Sequence, residues 1–480
     1  MSETRQTLLV NIDYLTFCLY LALVGIGGLF IYSVDVQQSG APSGLADFLS
    51  SMAGKQVIWI IISLFVFSFI VLVLDAKFWQ TFAYLVYGFG IALLILVLFL
   101  GTNIKGATSW FTFGGFSFQP SEVAKFGTCL AMAAYLSHWS TKLREWRTAA
   151  QAAALFVAPA GLILLQPDAG SALVFLSFLI AMFREGLSPM LYVVAILSAA
   201  TLILGILYPP VTMIVVLAWI GGLVYVSYQR KHRLWWLLGA LMVGAFCWVG
   251  IAFEYDYYAL GGILLVFALL SLWQLREGRT QLIPVLTVGL LWTSALATGS
   301  NYAFNEILQP HQQQRINVWL QPDEAREENR DATFNLDQSR LAISGGGITG
   351  QGLLSGPMTR GRKVPEQSTD FIFCTIGEEQ GFVGSAAVVA LFLLLLLRIT
   401  IIAERQTNAF SRVYAYGVAG IIFVHVFVNI GMTMGLMPII GIPLPFISKG
   451  GSSLLGFTIM LAVLIKLDKH RGRIKVRRLL

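Results

Sequence analysis

About fourteen long apolar runs follow one another along this chain of 480 residues, and that rhythm restricts its fold more than any single motif does. They lie near residues 11–33, 57–74, 82–100, 118–137, 149–165, 171–183, 190–207, 211–228, 234–252, 257–273, 283–298, 382–397, 413–437 and 453–467. About 20 residues of helix cross the hydrocarbon of a bilayer. Only helices and closed barrels satisfy their backbone groups there, and these runs are continuous rather than alternating. Charged residues make up 12% of the chain, against about a quarter in a soluble protein. The expected fold class is therefore all-α: a polytopic transmembrane helix bundle of about 14 spans, forming one integral membrane domain over 1–480. The first run is too long for a cleaved signal peptide and lacks a small-residue cleavage site.

Basic residues set the orientation, because Lys and Arg collect in cytoplasmic loops. One side of the alternation receives Arg5, Lys77, Lys142, Arg144, Arg147, Arg184, Arg230, Lys231, Arg233, Arg276, Arg279, Arg398, Arg405, Arg412 and the tail from Lys466 to Arg478. Those are 21 of the 32 basic residues. Both termini are expected in the cytoplasm. The net charge of +7 then reads as a topological signal that also touches anionic lipid, not as a nucleic-acid surface. Cys18, Cys129, Cys247 and Cys374 are isolated, with no metal-ligand spacing. No GxxxxGK[ST] loop is present to bind a nucleotide.

The longest interruption, residues 301–375, is expected outside the cytoplasm as one large loop. It carries nine carboxylates and seven basic residues. Apolar anchors such as Trp319, Leu336 and Leu341 argue for an ordered, functional segment. Within it, Ser344 to Gly352 is glycine-rich, and Arg360, Arg362 and Lys363 form a basic cluster suited to a diphosphate. Glu378 and Glu379 then stand at the entry to an apolar helix, where carboxylates are costly unless functional or paired.

Three smaller clusters reach the same surface. Gln119-Pro120-Ser121-Glu122 starts a helix, with Lys125 placed to pair with Glu122 across one turn. Gln166-Pro167-Asp168 makes a turn in which Asp168 can cap the next helix. Gly441 to Ser453, with Pro443, Pro445, Ser448 and Lys449, suggests non-helical backbone lining a cavity. Four clusters on one side argue for one extracytoplasmic site.

In this order, these pieces resemble the SEDS family of cell-wall polymerases (shape, elongation, division and sporulation). The matching residues are Gln119-Pro120-Ser121-Glu122, Gln166-Pro167-Asp168, Gln338-Ser339 with the glycine run, Val364-Pro365-Glu366, and Thr369-Asp370-Phe371-Ile372-Phe373. Gly377-Glu378-Glu379, Asn429-Ile430-Gly431-Met432 and Gly441-Ile442-Pro443-Leu444-Pro445-Phe446 complete the series. The rod-shape (elongation) branch is the more similar, partly through His311 to Asn317.

The resemblance implies a peptidoglycan glycosyltransferase that polymerises lipid II on the outer face of the bacterial inner membrane. It also implies a class B penicillin-binding protein as partner transpeptidase and a divalent cation, Mg²⁺ or Mn²⁺, whose ligands remain unassigned. Two departures stand out. Residues 190–300 hold about four helices beyond the family's usual ten. The family's loop also carries an Asp, usually before Pro, about ten residues ahead of the Gln-Ser pair; here Glu328 occupies that distance, with Asp331 and Asp323 as alternatives.

Under this resemblance Glu328, Asp331 or Asp323 supplies the general base. Arg315, Lys125, Glu122, Arg362, Lys363, Glu366, Asp370, Ser448 and Lys449 form the substrate-binding set. Gln119, Pro120, Asp168, Glu378 and Glu379 are structural supports. Two other readings stay open, a lipid II flippase or transporter and a non-catalytic scaffold.

Overall fold

The computed structural model describes residues 12–104, 106–113, 116–138, 141–228, 233–252, 258–263, 265–266, 268–269, 282–328 and 330–477. Two compact units divide the chain, one of Met1–Ser188 with Pro322–Leu480, the other of Pro189–Gln321. Among the described residues, eight helices have the length and hydropathy to cross a membrane. Shorter apolar helices occupy Ala169–Arg184, Pro210–Val224 and Leu238–Gly250.

The first unit opens with α1 (Tyr14–Ser39), α2 (Leu45–Ser50), α3 (Met52–Leu72), α4 (Ala76–Thr81) and α5 (Ala83–Leu100). At ~1.5 Å per residue, α1 is roughly 39 Å long, longer than the hydrocarbon layer. A short antiparallel ribbon follows, β1 (Thr102–Ile104), β2 (Ala107–Phe113) and β3 (Phe116–Phe118), with Phe111 facing Phe118 in register. This ribbon departs from the all-α expectation. Its last strand delivers the chain to Gln119 and Pro120.

Helix α6 (Pro120–Leu136) shows why sequence dictates position in a membrane. It carries Ser121, Glu122, Lys125 and Thr128, which lipid would not tolerate. All of its residues but Val123, Ala134 and Tyr135 are buried. It packs directly on α5 because two small residues let the backbones meet. A Cβ on Gly90 would lie 3.0 Å from the Ala124 Cα, and one on Gly127 2.9 Å from the Tyr87 Cα. Close approach of this kind substitutes for the hydrophobic drive that lipid removes.

Next come α7 (Trp146–Leu164) and the apolar run near 171–183, which is split into α8 (Ala169–Val174), a 3₁₀ turn (Phe175–Ser177) and α9 (Phe178–Arg184). After the second unit, the first resumes with α15 (Pro322–Glu328), α16 (Arg330–Gly345) and α17 (Pro357–Arg360). It closes with α18 (Ile372–Glu404), α19 (Ala409–Met434) and α20 (Gly451–Arg477). Helices α19 and α20 are mostly buried, whereas α3, α5 and α7 turn most of their apolar surface outward. Exposed residues such as Phe65, Leu85, Phe89 and Phe99 are then lipid-facing rather than anomalous.

Helix α18 breaks at Gly381, whose φ of 63° and ψ of −158° are not helical. A side chain there would collide with Gly350 N and Ile348 O. Only glycine fits that backbone and that approach. The break separates the polar start of α18 from the apolar length that follows.

One end of this unit is tied by ion pairs. Asp13, the N-cap of α1, accepts from Arg398 Nε at 2.9 Å and Arg405 Nη2 at 3.0 Å, and Arg405 also pairs with Asp468. Arg184 pairs with Glu404 at 2.7 Å and Arg412 with Glu185 at 2.8 Å.

The second unit contains α10 (Pro189–Leu207), α11 (Pro210–Tyr228), α12 (Arg233–Ala252), α13 (Leu282–Tyr302) and α14 (Pro310–Leu320). Val215, Ala218, Ala259 and Ile263 form its buried centre, with Trp219, Val243 and Leu290 packed around them. A π turn, Ala303–Ile307, ends α13, and Gln313 Nε2 donates to the Phe304 carbonyl at 2.6 Å. The stretch read as one loop is thus largely helical, with α14 in one unit and α15 to α17 in the other.

Candidate active site

The end of the first unit away from Asp13 gathers most of the singled-out polar residues. Lys125 lies at its heart, one turn along α6 from Glu122. Its Nζ is 2.9 Å from Glu122 Oε1 and 3.0 Å from His425 Nε2. His425 Nδ1 lies 3.1 Å from the Pro443 carbonyl. An ammonium donates to both neighbours, which assigns Nε2 as acceptor and leaves Nδ1–H to donate to Pro443. The Phe457 ring sits 5.3 Å from the same ammonium, a cation–π contact. Glu122 and Lys125 are 3% and 1% exposed, so neither reaches the open surface. They lock α6 to α19 and to the 435–450 segment. Glu122 Oε2 is buried without a hydrogen-bond partner among the described residues.

Around this core the connecting segments are laced by side chains. Asn429 Nδ2 donates to the Asp370 carbonyl at 2.8 Å and the Ile442 carbonyl at 2.6 Å. Ser448 Oγ donates to the Thr369 carbonyl at 2.6 Å and accepts from Leu444 N at 2.8 Å. Lys449 N donates to the Ser368 carbonyl at 2.9 Å. The Lys449 side chain is half-buried. Burial and the charge of Lys55 hold its pKa below the usual lysine value, against the opposing pull of Asp35 and Glu366. Asp35 itself accepts from Ala53 N at 2.9 Å, at the start of α3.

The rim is cationic. Arg362 and Lys363 are exposed, and Arg362 Nη2 donates to the Gln38 carbonyl at the end of α1. Arg362 and Glu366 both have positive φ, 49° and 50°, an uncommon conformation that clusters at functional sites. Glu366 is exposed and Asp370 half-buried.

The supporting residues have specific geometry. Pro120 is the first residue of α6. Asp168 is the N-cap of α8, accepting from Ser171 N at 2.9 Å, and Gln119 Nε2 donates to its other oxygen at 3.1 Å. Glu378 accepts from Met358 N at 2.6 Å, Thr359 N at 3.1 Å and Thr359 Oγ1 at 2.6 Å, so it caps α17. Glu379 Oε1 accepts from Ser33 Oγ and Gln37 Nε2, fastening α18 to α1.

The three base candidates lie on α15 and the first turn of α16. The Asp323 side chain is 93% exposed, 3.4 Å from Arg326, which also pairs with Asp337 at 2.6 Å. Glu328 closes α15 and Asp331 follows the first residue of α16; their side chains fall outside the described residues. Ser339 Oγ donates to the Thr433 carbonyl at 2.6 Å, tying α16 to the end of α19. Arg315 lies exposed on α14 in the second unit. Among the described residues no group of three His, Cys, Asp or Glu side chains is placed to hold a metal ion.

His425, Asp35 and Asn429 were not singled out as site residues by sequence reasoning. His425 had a readable signal, since an ionisable residue inside an apolar run is functional or paired by default.

Eight lipid-length helices among the described residues, and in the first unit a buried carboxylate–lysine–histidine cluster under a cationic rim, define a polytopic membrane protein with a polar site at one end of that unit. The chain belongs to the FTSW_RODA_SPOVE family, described as cell cycle proteins, whose model matches residues 13–236 and 211–473. It is 32% identical over 458 residues to the peptidoglycan glycosyltransferase RodA of Treponema pallidum (strain Nichols), spanning 94% of this chain and 96% of that one. It is 29% identical over 394 residues to the peptidoglycan glycosyltransferase MrdB of Escherichia coli (strain K12), covering 82% of this chain and 78% of that one. A solved chain from a structure described as "Structural coordination of polymerization and crosslinking by a peptidoglycan synthase complex" shares the fold. Its TM-score is 0.63 at 24% identity, over 96% of this chain and 99% of that one.

Proposed function

We infer that this protein is a peptidoglycan glycosyltransferase of the rod-shape branch, polymerising a polyprenyl-diphosphate-linked disaccharide, lipid II, into glycan strands. The observation that carries the reading is its likeness to an enzyme of that activity along nearly the whole of both chains. The cationic rim adds a chemical reason. The leaving diphosphate gathers negative charge, and Arg362, Lys363 and Lys449 are among the cations at that end of the unit that are open or half-open to a ligand. Lys125, with Glu122, positions the elements behind them. Arg315 is a further candidate, on the second unit.

In the reaction the acceptor sugar's 4-hydroxyl attacks the anomeric carbon of the donor. The bond from that carbon to the diphosphate breaks, and the hydroxyl proton passes to a carboxylate. We assign that base to Glu328, with Asp331 and Asp323 next. Positioned general bases contribute typically about a hundred- to ten-thousand-fold. A Mg²⁺ or Mn²⁺ ion, when bound, supplies charge neutralisation at the diphosphate, a setting that asks for only one or two protein carboxylates. The partner is a class B penicillin-binding protein that cross-links the product. We further propose 14 crossings of the bacterial cytoplasmic membrane, both termini cytoplasmic, with helices near 190–300 added to the family's bundle and the 301–375 segment outside.

The test is purified protein with lipid II and Mg²⁺ or Mn²⁺. Glu328→Ala should abolish polymer while leaving expression and partner binding intact. Normal polymer from that variant removes Glu328 from the role, and Asp331→Ala and Asp323→Ala then decide. Translocation of lipid II without any polymer would favour a flippase.

A further inference from the structure

The C-terminal end of α19 is completed by side chains of another helix. Its last four carbonyls, those of Gly431 to Met434, lack the N–H donors that a continuing helix would supply. The turn that follows serves two of them. Leu436 N donates to the Gly431 carbonyl at 2.8 Å and Gly435 N to the Met432 carbonyl at 3.2 Å. Two consecutive residues of α16 serve the others: buried Ser339 Oγ donates to the Thr433 carbonyl at 2.6 Å, and exposed Arg340 Nε to the Met434 carbonyl at 3.2 Å. Gly435 makes room for this. Its φ is 79°, and a Cβ there would lie 2.8 Å from the Arg340 Cζ. The guanidinium therefore sits at the negative end of a 26-residue helix.

Arg340 also acts back along α16. Asp337, one turn earlier, is held by Arg326 of α15 through two bonds, Nη2 to Oδ1 at 2.6 Å and Nε to Oδ2 at 3.3 Å. Burial pushes the Asp337 carboxyl up, but hydrogen bonds from Arg326 and Thr333 and the charges of Arg326 and Arg340 hold it below its usual value. Opposite charges thus alternate from α15 to α19, through Arg326, Asp337, Arg340 and the Met434 carbonyl. Helix α19 in turn holds Asp370 and the 435–450 segment through Asn429.

The base candidates hang from the far end of this chain. Helix α15, which Glu328 closes, has seven residues, too few to keep a position unaided. Asp331 lies nine residues before Arg340, about 14 Å along α16. At that reach a tilt of about 4° at the cap moves the helix start by about 1 Å. A displacement of that size can cost about a hundredfold in rate.

We propose that Arg340 is a positioning residue for glycosyl transfer. By docking α16 on the end of α19 it fixes α15 and α16, and with them the candidate base, relative to the segment that carries Lys449. The proposal rests on the catalytic reading above.

The test uses the full-length protein with lipid II and Mg²⁺, with rates taken per folded molecule. Arg340→Met should lower kcat roughly tenfold to a hundredfold and leave KM for lipid II within about twofold of wild type. Arg340→Lys, which keeps a charged donor for the Met434 carbonyl, should restore most of the rate. Asp337→Asn cuts the same chain one link further on and should reproduce the loss, so the comparison stands even if Arg340→Met folds poorly. Hydrogen exchange should quicken at the amides of α15 and α16 in Arg340→Met while those of His425 to Asn429 stay protected. Arg144→Gln, at an exposed basic residue in the short segment between α6 and α7, should change neither readout. The positioning role is overturned if wild type makes polymer and Arg340→Met and Asp337→Asn match it. It is equally overturned if Arg340→Lys is as slow as Arg340→Met, or if exchange on α15 and α16 stays at the wild-type rate. A wild type that makes no polymer sinks the catalytic reading instead, and the exchange result then reports on the docking of α16 alone.

Discussion

Lys449 is the residue whose chemistry should be most visible in solution. Its pKa is depressed by burial and by Lys55, so it loses its proton at a lower pH than an ordinary lysine, about 10.4. If its ammonium holds the diphosphate, kcat/KM falls on the alkaline side as the pH passes that depressed value. Lys449→Arg, always charged, should move that limb to higher pH, and a wild-type profile that Lys449→Arg leaves unmoved would exclude the role. For stability the sign is opposite. Between the depressed pKa and the ordinary one the unfolded chain binds more protons, so this group's contribution to stability rises with pH. The buried Glu122–Lys125 pair makes a different prediction. Removing one partner strands a charge, at about 3–5 kcal/mol, so Glu122→Leu and Lys125→Met should each be strongly destabilising. The double variant should cost no more than either single one in reversible unfolding in mixed micelles. Additive costs would mean the pair is not coupled.

At the scale of elements, Glu378 decides whether the segment between α16 and α18 holds its shape. Helix α17 has four residues, too few to persist without help, and the Glu378 carboxylate takes two of its first N–H groups. Glu378→Ala should cost roughly 1–3 kcal/mol locally. It should raise hydrogen exchange at Met358, Thr359 and Arg360 while the amides of α19 stay protected; unchanged exchange at those three positions would show that the cap is dispensable. Much of the helical pattern was legible beforehand. The run read at 82–100 is α5, and that read at 211–228 is α11, each within a residue or two, because twenty apolar residues have one stable form in lipid. What escaped was set by contacts rather than composition. The β ribbon pairs backbone across a turn in a stretch too short to show alternation. The 3₁₀ turn at Phe175–Ser177 has no Pro or Gly to announce it. The break in α18 depends on Gly381 meeting Ile348 and Gly350, residues some thirty positions away. In the site, Asp168 as a cap and Glu122 with Lys125 as a pair could be read from spacing. His425 as their third member could not, since its partner lies 300 residues away.

For the whole molecule, the distribution of charge and the proposed orientation can be tested together. Arg184, Arg398, Arg405, Arg412 and Lys466 lie toward one end of the first unit, where the proposed topology puts the cytoplasm and where lysine and arginine are expected. Arg362, Lys363 and Lys449 lie at the other end, where cations gain nothing from that rule. Lys449 in particular sits in a short connection between two spans, where Asp35 and Glu366 offset part of the cost of its charge and a bound anion would offset more. Orientation and substrate class are thus one claim. Cysteines placed at exposed Gln351 and Lys363 should react with a membrane-impermeant maleimide in intact cells, and one at Arg144 only after permeabilisation, each against the parent's own cysteines as background. The reverse pattern would put the cationic rim in the cytosol, where positive charge needs no ligand to explain it, and the case for a lipid-linked diphosphate at Lys449 would lose its physical basis.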